Sequence, residues 1–195
     1  MLNDARSLLS LLRTRRSGRP REMVAPGPSA AELEDILTIG ARTPDHGKLF
    51  PWRFVTVGGD RREALATLLH SALAEEEPDA PPAKFAKADE FARQGAALIV
   101  LISAPVHGHK IPLWEQELSA GAAGMNLLHA AHAHGYVAGW LTGWQAYAER
   151  VRAAFCGPGE RIAGFIFIGS PGRDLEDRPR APLATIWKPW QPPEK

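Results

Sequence analysis

Apolar residues recur every three or four positions along much of this chain, which is the period of an amphipathic α-helix. The first such segment is rich in leucine, and Asp4 or Asn3 is its predicted N-cap. The pattern predicts helices over Asp4–Thr14, from Ser29 to Arg42 or Thr43, from Asp60 to Leu73, and over Ala83–Gln94, Pro112–His134 and Ala146–Phe155.

Polar residues with a capping spacing precede two of these helices. Ser29 followed by Glu32 fits a capping box, in which side chain and backbone exchange hydrogen bonds. Asp60 with Glu63 predicts the same arrangement at the next helix. The acidic segment Glu75–Pro82 is predicted to be an exposed connection, with a mobile lid as the alternative.

Four segments have the pattern of β-strands. Trp52–Val57 alternates and is rich in Phe and Val, whereas Ala96–Ser103 is continuously apolar and predicts a strand buried on both faces. Val137–Leu141 and Arg161–Gly169 are the other two predicted strands. Met23–Pro28 contains two prolines and is predicted to be an extended linker.

The longest predicted helix has an unusual centre, Ser119–Asn126, made almost entirely of Ala, Gly and Ser. Each glycine costs a helix roughly 1 kcal/mol, and small residues allow another backbone to approach closely. We therefore expect this helix at the centre of the fold and against a partner subunit. The proline-rich tail Ser170–Lys195 contains Trp187 and Trp190 without a local core, so we expect it to pack across another surface, such as that of a second chain.

Composition narrows the class of protein. A chain of 195 residues suits one domain, here 1–195, with enough apolar sequence for its own core. The net charge of +1, from 23 basic and 22 acidic residues, argues against sequence-independent nucleic-acid binding. No segment approaches the ~20 apolar residues of a membrane span. The single cysteine, Cys156, is predicted to be a buried small residue, and a cytoplasmic location is expected.

Three basic segments are suited to binding an anion. Arg15-Arg16-Ser17 follows the first predicted helix, the loop Arg42–Phe54 contains His46 between two prolines, and Arg178-x-Arg180 lies in the tail. Arginine binds phosphate through paired hydrogen bonds, and a serine hydroxyl adds another. A basic, solvated surface is the alternative interpretation, because cations also complement the C-terminal end of a helix dipole.

Other motifs are weak. His129, His132 and His134 lie close together, but no third ligand and no His-Glu-x-x-His spacing accompany them, so we expect no metal site. His107-Gly108-His109 is weaker still. The chain contains neither a Rossmann glycine fingerprint nor a P-loop.

Three blocks resemble the FMN-dependent nitroreductase family. Arg15–Arg19 resembles the start of that family, and Arg42–Phe54 is similar to its Pro-Trp block. Trp114–Gly121, which reads Trp-Glu-Gln-Glu-Leu-Ser-Ala-Gly, is the most specific block and resembles a small subgroup of NAD(P)H nitroreductases of the YdjA type. The resemblance extends from Leu8 to Gly169.

The resemblance implies an α+β fold in which a mixed central β-sheet is surrounded by helices. It also implies an intertwined homodimer with FMN in each of two interface clefts. By matched position, Arg15, Arg16 and Ser17 would bind the FMN phosphate and ribityl chain. Arg42 and His46 would reach the flavin from the partner subunit.

Further positions are matched to the cofactors. Trp140, Leu141 and Thr142 correspond to the subgroup's Trp-Arg-Ser at FMN, and Leu141 can offer only backbone or apolar contact there. Arg178 and Arg180 resemble the basic pair that other members place on the phosphate. A segment matched to NAD(P)H comprises Ala130, Ala131, His132, Ala133, His134 and Gly135.

The implied activity is oxidoreduction: FMN would pass hydride from NAD(P)H to a small acceptor, such as a nitroaromatic or a quinone, with ping-pong kinetics. No side-chain acid, base or nucleophile is required, so no catalytic side chain is assigned. Two alternatives stay open. Related folds also serve flavin-modifying and dehalogenating enzymes, and the chain could instead be a non-catalytic dimeric interaction module.

Overall fold

The computed structural model describes residues 1–193. Five β-strands are present in these residues: β1 Met23–Val24, β2 Trp52–Thr56, β3 Ala97–Ser103, β4 Val137–Leu141 and β5 Arg161–Pro171. Seven α-helices accompany them: α1 Leu8–Thr14, α2 Ala30–Gly40, α3 Arg62–Glu76, α4 Pro82–Arg93, α5 Leu113–Ala133, α6 Glu149–Phe155 and α7 Leu183–Ile186.

The long strand β5 organises the sheet. It pairs with β3 along one side and with β4 and β1 along the other, and β2 lies outside β3. Each of the four pairings among residues 1–193 is antiparallel. Strand β2 is therefore one edge of the sheet within this chain.

Helices cover both faces of the sheet, so the predicted α+β fold is confirmed. On one face, Leu69 of α3, Phe91 of α4 and Val151 of α6 pack against Phe165 and Phe167 of β5. On the other face, helices α2 and α5 cover the remaining apolar side chains of β3 and β5. The continuous apolar run of β3 is buried on both faces for this reason, as its sequence predicts.

Helix α2 begins as predicted. Ser29 Oγ accepts from the Glu32 backbone N–H, and the Glu32 carboxylate accepts from the Ser29 N–H at 2.8 Å. The helix ends beside α5, where a Cβ on Gly40 would lie 2.4 Å from Leu127 Cδ2. Glycine at this position lets the two helices approach closely.

The predicted start of the first helix is wrong. Helix α1 begins at Leu8 with Ser7 as its N-cap, because Ser7 Oγ accepts from the Ser10 N–H. Asp4 does not cap the helix. Its carboxylate is buried and accepts from the Arg6 guanidinium and from the Ser10 hydroxyl.

The predicted cap of the third helix is also wrong. Asp60 lies in a 3₁₀ turn, and α3 starts after Arg61 without a side-chain cap. Glu63 pairs instead with Arg93 of α4, at 2.6 Å between Oε2 and Nη2.

Ion pairs hold the acidic connection at the end of α3, because Glu77 pairs with Lys84 and Glu75 with Arg150.

Smaller differences concern the ends of elements. Met23 and Val24 are not merely linker, because they pair with the last residues of β5. The helix predicted from Ala146 begins at Glu149, after a 3₁₀ turn. Strand β4 has its predicted bounds. Among residues 1–193, no helix is both long and apolar enough to cross a membrane.

Candidate functional site

The segment that follows α1 lies against strand β4. The Gly18 N–H donates to the Ala138 carbonyl at 3.1 Å. A Cβ on Gly139 would lie 2.6 Å from the Gly18 carbonyl oxygen, so a glycine is required at this contact. The adjacent residues Arg15–Ser17 are thereby fixed beside the sheet.

The tail meets this segment and brings two of the predicted basic sets together. Arg180 Nη2 donates to the Arg15 carbonyl at 3.2 Å, and Arg16 Nε donates to the Glu176 carbonyl at 2.7 Å. Arg15 Nη1 points to the Ser17 hydroxyl at 3.3 Å. We call the group formed by Arg15, Arg16, Ser17, Arg178 and Arg180 the arginine cluster.

The cluster carries excess positive charge. Burial lowers the pKa of Arg15 from its ordinary value, and the nearby charges of Arg180, Arg16 and Arg178 lower it further. Among residues 1–193, no carboxylate lies within ion-pair distance of Arg15; Asp177 Oδ1 is 3.6 Å from Arg180 Nη2. A half-buried guanidinium among other guanidiniums favours a bound anion, because an anion relieves their mutual repulsion.

The second basic segment, Arg42–Phe54, is tied to α5. Asn126 Nδ2 donates to Thr43 Oγ1 at 2.8 Å, and Ser119 Oγ donates to the Pro44 carbonyl at 2.5 Å. Thr43 is buried. These bonds fix the N-terminal half of the segment on the surface of the long helix. We call the residues from Arg42 up to the start of β2 the Pro44 loop.

Acid–base pairing continues along the same loop. His46 Nδ1 lies 2.7 Å from Glu115 Oε2 at the start of α5. Asp45 Oδ2 accepts from the Phe50 N–H at 2.7 Å, which holds a backbone that has positive φ at Lys48 and Phe50. The Arg42 side chain is exposed.

The Trp114–Gly121 block supplies most of these contacts. Beside Glu115 and Ser119, Gln116 is buried and holds the preceding loop through the Val106 N–H and carbonyl groups. Glu117 pairs with Arg161 at 3.0 Å. The polar residues of the block thus position the loops around α5.

The arginine cluster and the Pro44 loop stay separate within one chain. Among residues 1–193, no hydrogen bond or ion pair joins them. The family resemblance implies that the loop serves the partner's cofactor, and the separation is compatible with that expectation.

Comparison with known proteins identifies the family. The family model described as "Nitroreductase family" matches residues 12–170. This chain belongs to the nitroreductase family. It is 37% identical over 169 residues to the Escherichia coli K12 protein named "Putative NAD(P)H nitroreductase YdjA", covering 84% of this chain and 87% of that protein. A Haemophilus influenzae protein named "Putative NAD(P)H nitroreductase" is 36% identical over 165 residues, covering 83% of this chain and 87% of that protein.

Solved structures share the fold at lower identity. A nitroreductase-like family protein from Bacillus cereus superposes with a TM-score of 0.79 at 23% identity, covering 93% of this chain and 95% of that one. A Desulfovibrio desulfuricans structure solved in complex with FMN has a TM-score of 0.70 at 23% identity, covering 94% and 97%. An FMN- and NADPH-dependent nitroreductase, NfnB, has a TM-score of 0.71 at 20% identity, covering 92% and 96%.

The strand end that the resemblance matches to FMN is largely engaged within the chain. Trp140 Nε1 donates to the Ala163 carbonyl at 3.0 Å, and its ring lies against Gly124 and Gly164. Leu141 packs on the apolar core, while Thr142 is exposed. The indole N–H of Trp140 is therefore occupied, and Thr142 is the free hydroxyl of the three.

Half of the segment matched to NAD(P)H is buried in the fold. Ala130, Ala131 and His132 are buried in the last turns of α5, whereas Ala133 and Gly135 are exposed. The C-terminal end of a helix carries partial negative charge, which disfavours phosphate. The geometry therefore offers little for a nucleotide at the buried half of this segment.

His132 is the most buried ionisable group in that segment. Its Nδ1 is 3.1 Å from the Tyr136 carbonyl, and its Nε2 has no partner among residues 1–193. Burial lowers the pKa of His132 to about 4, so the ring is neutral near pH 7. His132 also lines a cavity of about 730 Å³ between the N-terminus and the tail. His134 pairs with Asp35 at 2.8 Å.

Two further expectations concern metal and thiol chemistry. Within residues 1–193, no group of three or more His, Cys, Asp or Glu side chains is arranged to hold a metal ion. Cys156 is half-buried rather than fully buried, and burial followed by the charge of Glu160 raises its pKa.

Sequence reasoning missed the residues that hold the Pro44 loop. Glu115, Ser119 and Asn126 were recognised as part of a helix or a family block, without individual roles. Their spacing of four and seven places them on one face of α5, which was a detectable signal.

Proposed function

We propose that this protein is a homodimeric flavoprotein that binds FMN and passes hydride from NAD(P)H to a small oxidising acceptor. The observation that carries the proposal is the arginine cluster, in which a half-buried Arg15 has guanidinium neighbours and lacks a carboxylate partner among the described residues. Membership of the nitroreductase family supports the same assignment. The FMN-containing and NADPH-dependent structures with this fold agree with it.

The arginine cluster fits the FMN phosphate. Guanidinium groups bind phosphate through charge-assisted hydrogen bonds, and the Ser17 hydroxyl is already aligned with Arg15. In the proposal, Arg15, Arg16 and Ser17 hold the phosphate and ribityl chain, with Arg178 and Arg180 adding charge. Thr142 contributes a hydroxyl, and Leu141 contributes apolar contact.

The proposed dimer is supported by a row of exposed small and apolar residues on α5. Trp114 and Leu118 are 67% and 53% exposed, and Gly121 and Ala122 follow on the same side of the helix. A Cβ on Gly121 would meet nothing within 4 Å, so this side is open within the chain. An open apolar row of this kind is suited to a partner subunit.

Apolar residues at both ends of the chain also lack cover. Leu8, Leu9 and Leu12 of α1 are exposed, as are Trp187 and Trp190 of the tail. Burying such side chains stabilises an assembly by roughly 1.5–3 kcal/mol each. We propose that the partner subunit covers them and that its Pro44 loop completes the flavin site with Arg42 and His46.

In this proposal the chain binds and orients, and FMN supplies the hydride-carrying chemistry when bound. Arg15 and Arg16 anchor the phosphate end. The Pro44 loop, held by Ser119 and Asn126, closes the cofactor site against solvent. Because the chain has no Rossmann motif to hold a nucleotide elsewhere, NAD(P)H and acceptor occupy one face in turn.

Purified protein tests the proposal directly. We expect flavin absorption that survives gel filtration, bleaching of that absorption by NADH or NADPH in stopped flow, and reoxidation by a quinone or nitroaromatic. Parallel double-reciprocal lines would support the ping-pong order. A colourless protein that does not bind added FMN would instead indicate a non-catalytic interaction module.

A further inference from the structure

The pair formed by His46 and Glu115 is the one acid–base pair on the Pro44 loop among the described residues. His46 Nδ1 is 2.7 Å from Glu115 Oε2, and the two side chains are 65% and 44% exposed. A carboxylate at Nδ1 selects the tautomer that carries its proton there. The Nε2 atom then points away from Glu115 and can take a proton from solvent.

The backbone on each side of this pair is unusually well held for an exposed loop. Ser119 and Asn126 fix the residues before His46, and Asp45 holds the residues after it through the Phe50 N–H. The charged residues of the loop are Arg42, Asp45 and Lys48, and α5 contributes Glu115. A simple surface ion pair contributes little stability, so this amount of support favours a positioning purpose.

We propose that His46 donates a proton to the acceptor during its reduction and that Glu115 positions the imidazole for this transfer. The inference rests on the proposed function, in which the Pro44 loop reaches the flavin of the partner subunit. It adds a chemical role to a residue that the sequence resemblance assigns to cofactor contact alone.

The step balances for a quinone acceptor. The quinone takes one hydride from reduced FMN and becomes a hydroquinone monoanion. The Nε2–H bond of the His46 imidazolium breaks, its electron pair stays on the ring, and an O–H bond forms on the monoanion to give the hydroquinone. Solvent then reprotonates the exposed imidazole. General acids in such steps typically contribute about 10²–10⁴-fold in rate.

The test separates proton-requiring from proton-free reoxidation. The holoprotein is reduced with NAD(P)H and mixed with either a benzoquinone or ferricyanide, which accepts single electrons without a proton. His46→Gln is expected to slow reoxidation by quinone by roughly 10²-fold. Reoxidation by ferricyanide should slow much less, so the ratio of the quinone rate to the ferricyanide rate should fall; both rates are measured with FMN bound at saturation, because His46 also belongs to the proposed flavin site.

Variants of other carboxylate and histidine positions provide the comparison. Glu115→Gln should show the same selective loss for quinone, but smaller. His70→Gln is a control, because His70 Nε2 lies 2.9 Å from Asp89 Oδ1 in a histidine–carboxylate contact between α3 and α4 that lacks hydrogen-bond geometry. It should leave both reoxidation rates unchanged.

A spectroscopic measurement adds a result that does not depend on turnover. Imidazole ¹⁵N shifts of His46 in neutral form should report a proton on Nδ1, and Glu115→Gln should remove this preference.

Equal slowing with quinone and ferricyanide would overturn the proposal, because His46 would then only position the flavin. Wild-type rates in His46→Gln with both acceptors would also overturn it. Failure of wild-type protein to bind FMN or to be bleached would instead contradict the proposed function.

Discussion

The two sides of helix α5 have nearly the same small residues but different surroundings. On the inner side, Gly124 meets Trp140 and Leu101, and a Cβ there would lie 2.5 Å from the indole ring. On the outer side, Gly121 has nothing within 4 Å and Ala122 is exposed.

The difference shows that small residues occur on the two sides of α5 for separate reasons. Inside, glycine makes room for a large ring that holds β4 against the helix. Outside, the described residues give no reason for a glycine at position 121, which lowers helix propensity by about 1 kcal/mol relative to alanine. The proposed partner subunit would explain the small residues on the outer side.

The inner side can be broken by one substitution. Gly124→Val would add three carbon atoms, the first of which would already lie 2.5 Å from the Trp140 ring and 2.7 Å from Leu101 Cδ2. We expect a loss of about 4 kcal/mol in stability or no folded protein. Urea unfolding at fixed protein concentration measures it. Gly121→Val is the matched control, and a similar loss there would show that the two sides do not differ.

A charged substitution tests whether the outer side of α5 forms the proposed dimer interface. Ala122→Arg should leave the fold intact but bury an unpaired guanidinium in the proposed dimer interface, at a cost of about 3 kcal/mol. Sedimentation should then show a dimer dissociation constant raised more than roughly 100-fold. Ala153→Arg, on the exposed side of α6, serves as control. If Ala122→Arg self-associates as the wild type does, either the interface lies elsewhere or the proposed dimer does not exist.

Regular periodicity made most of the fold predictable. The apolar run of β3, the alternating pattern of β2 and the capping box at Ser29 each led to the right element, because a local pattern was enough. Caps were harder. Asp4 and Asp60 look like N-caps in the sequence, but Asp4 binds Arg6 and Ser10, and Asp60 lies within a 3₁₀ turn that the sequence pattern does not predict.

The candidate site was predictable only in its components. The arginines near residue 15 and those near residue 180 were found separately, and only the folded tail brings Arg180 to the Arg15 carbonyl. Such contacts join residues 165 positions apart, and no local pattern encodes them. The burial of Ala130, Ala131 and His132 was likewise invisible, because it depends on which face of α5 meets the sheet.

The arginine cluster lies near the C-terminal half of α5, where burial and then the Arg15 charge lower the pKa of His129. Arg15→Ala removes the half-buried guanidinium and should weaken FMN binding by about 1.5–3 kcal/mol. Arg21→Ala, in the 3₁₀ turn after the cluster, is the control and should bind as the wild type does. Fluorescence titration of apoprotein with FMN measures both, and equal dissociation constants would remove the phosphate assignment.

The smallest expected effect tests the buried side of α5 near its end. An unfolded chain protonates histidine near pH 6.5, whereas folded His132 protonates only near pH 4, because burial penalises the charged ring. Stability is therefore complete above pH 6.5, falls as the pH drops from there to about 4, and levels off below. Linkage predicts a loss of about 2 kcal/mol between pH 7.5 and pH 5 from this group. His132→Gln removes the titration, so the wild-type and variant stability curves should converge as the pH falls from 7.5 to 5. His107→Gln, which changes an exposed loop histidine, should leave the pH dependence unchanged. Parallel curves for wild type and His132→Gln would show that His132 is protonated as easily in the folded protein as in solvent. Water would then reach the inner side of the helix more freely than its packing indicates.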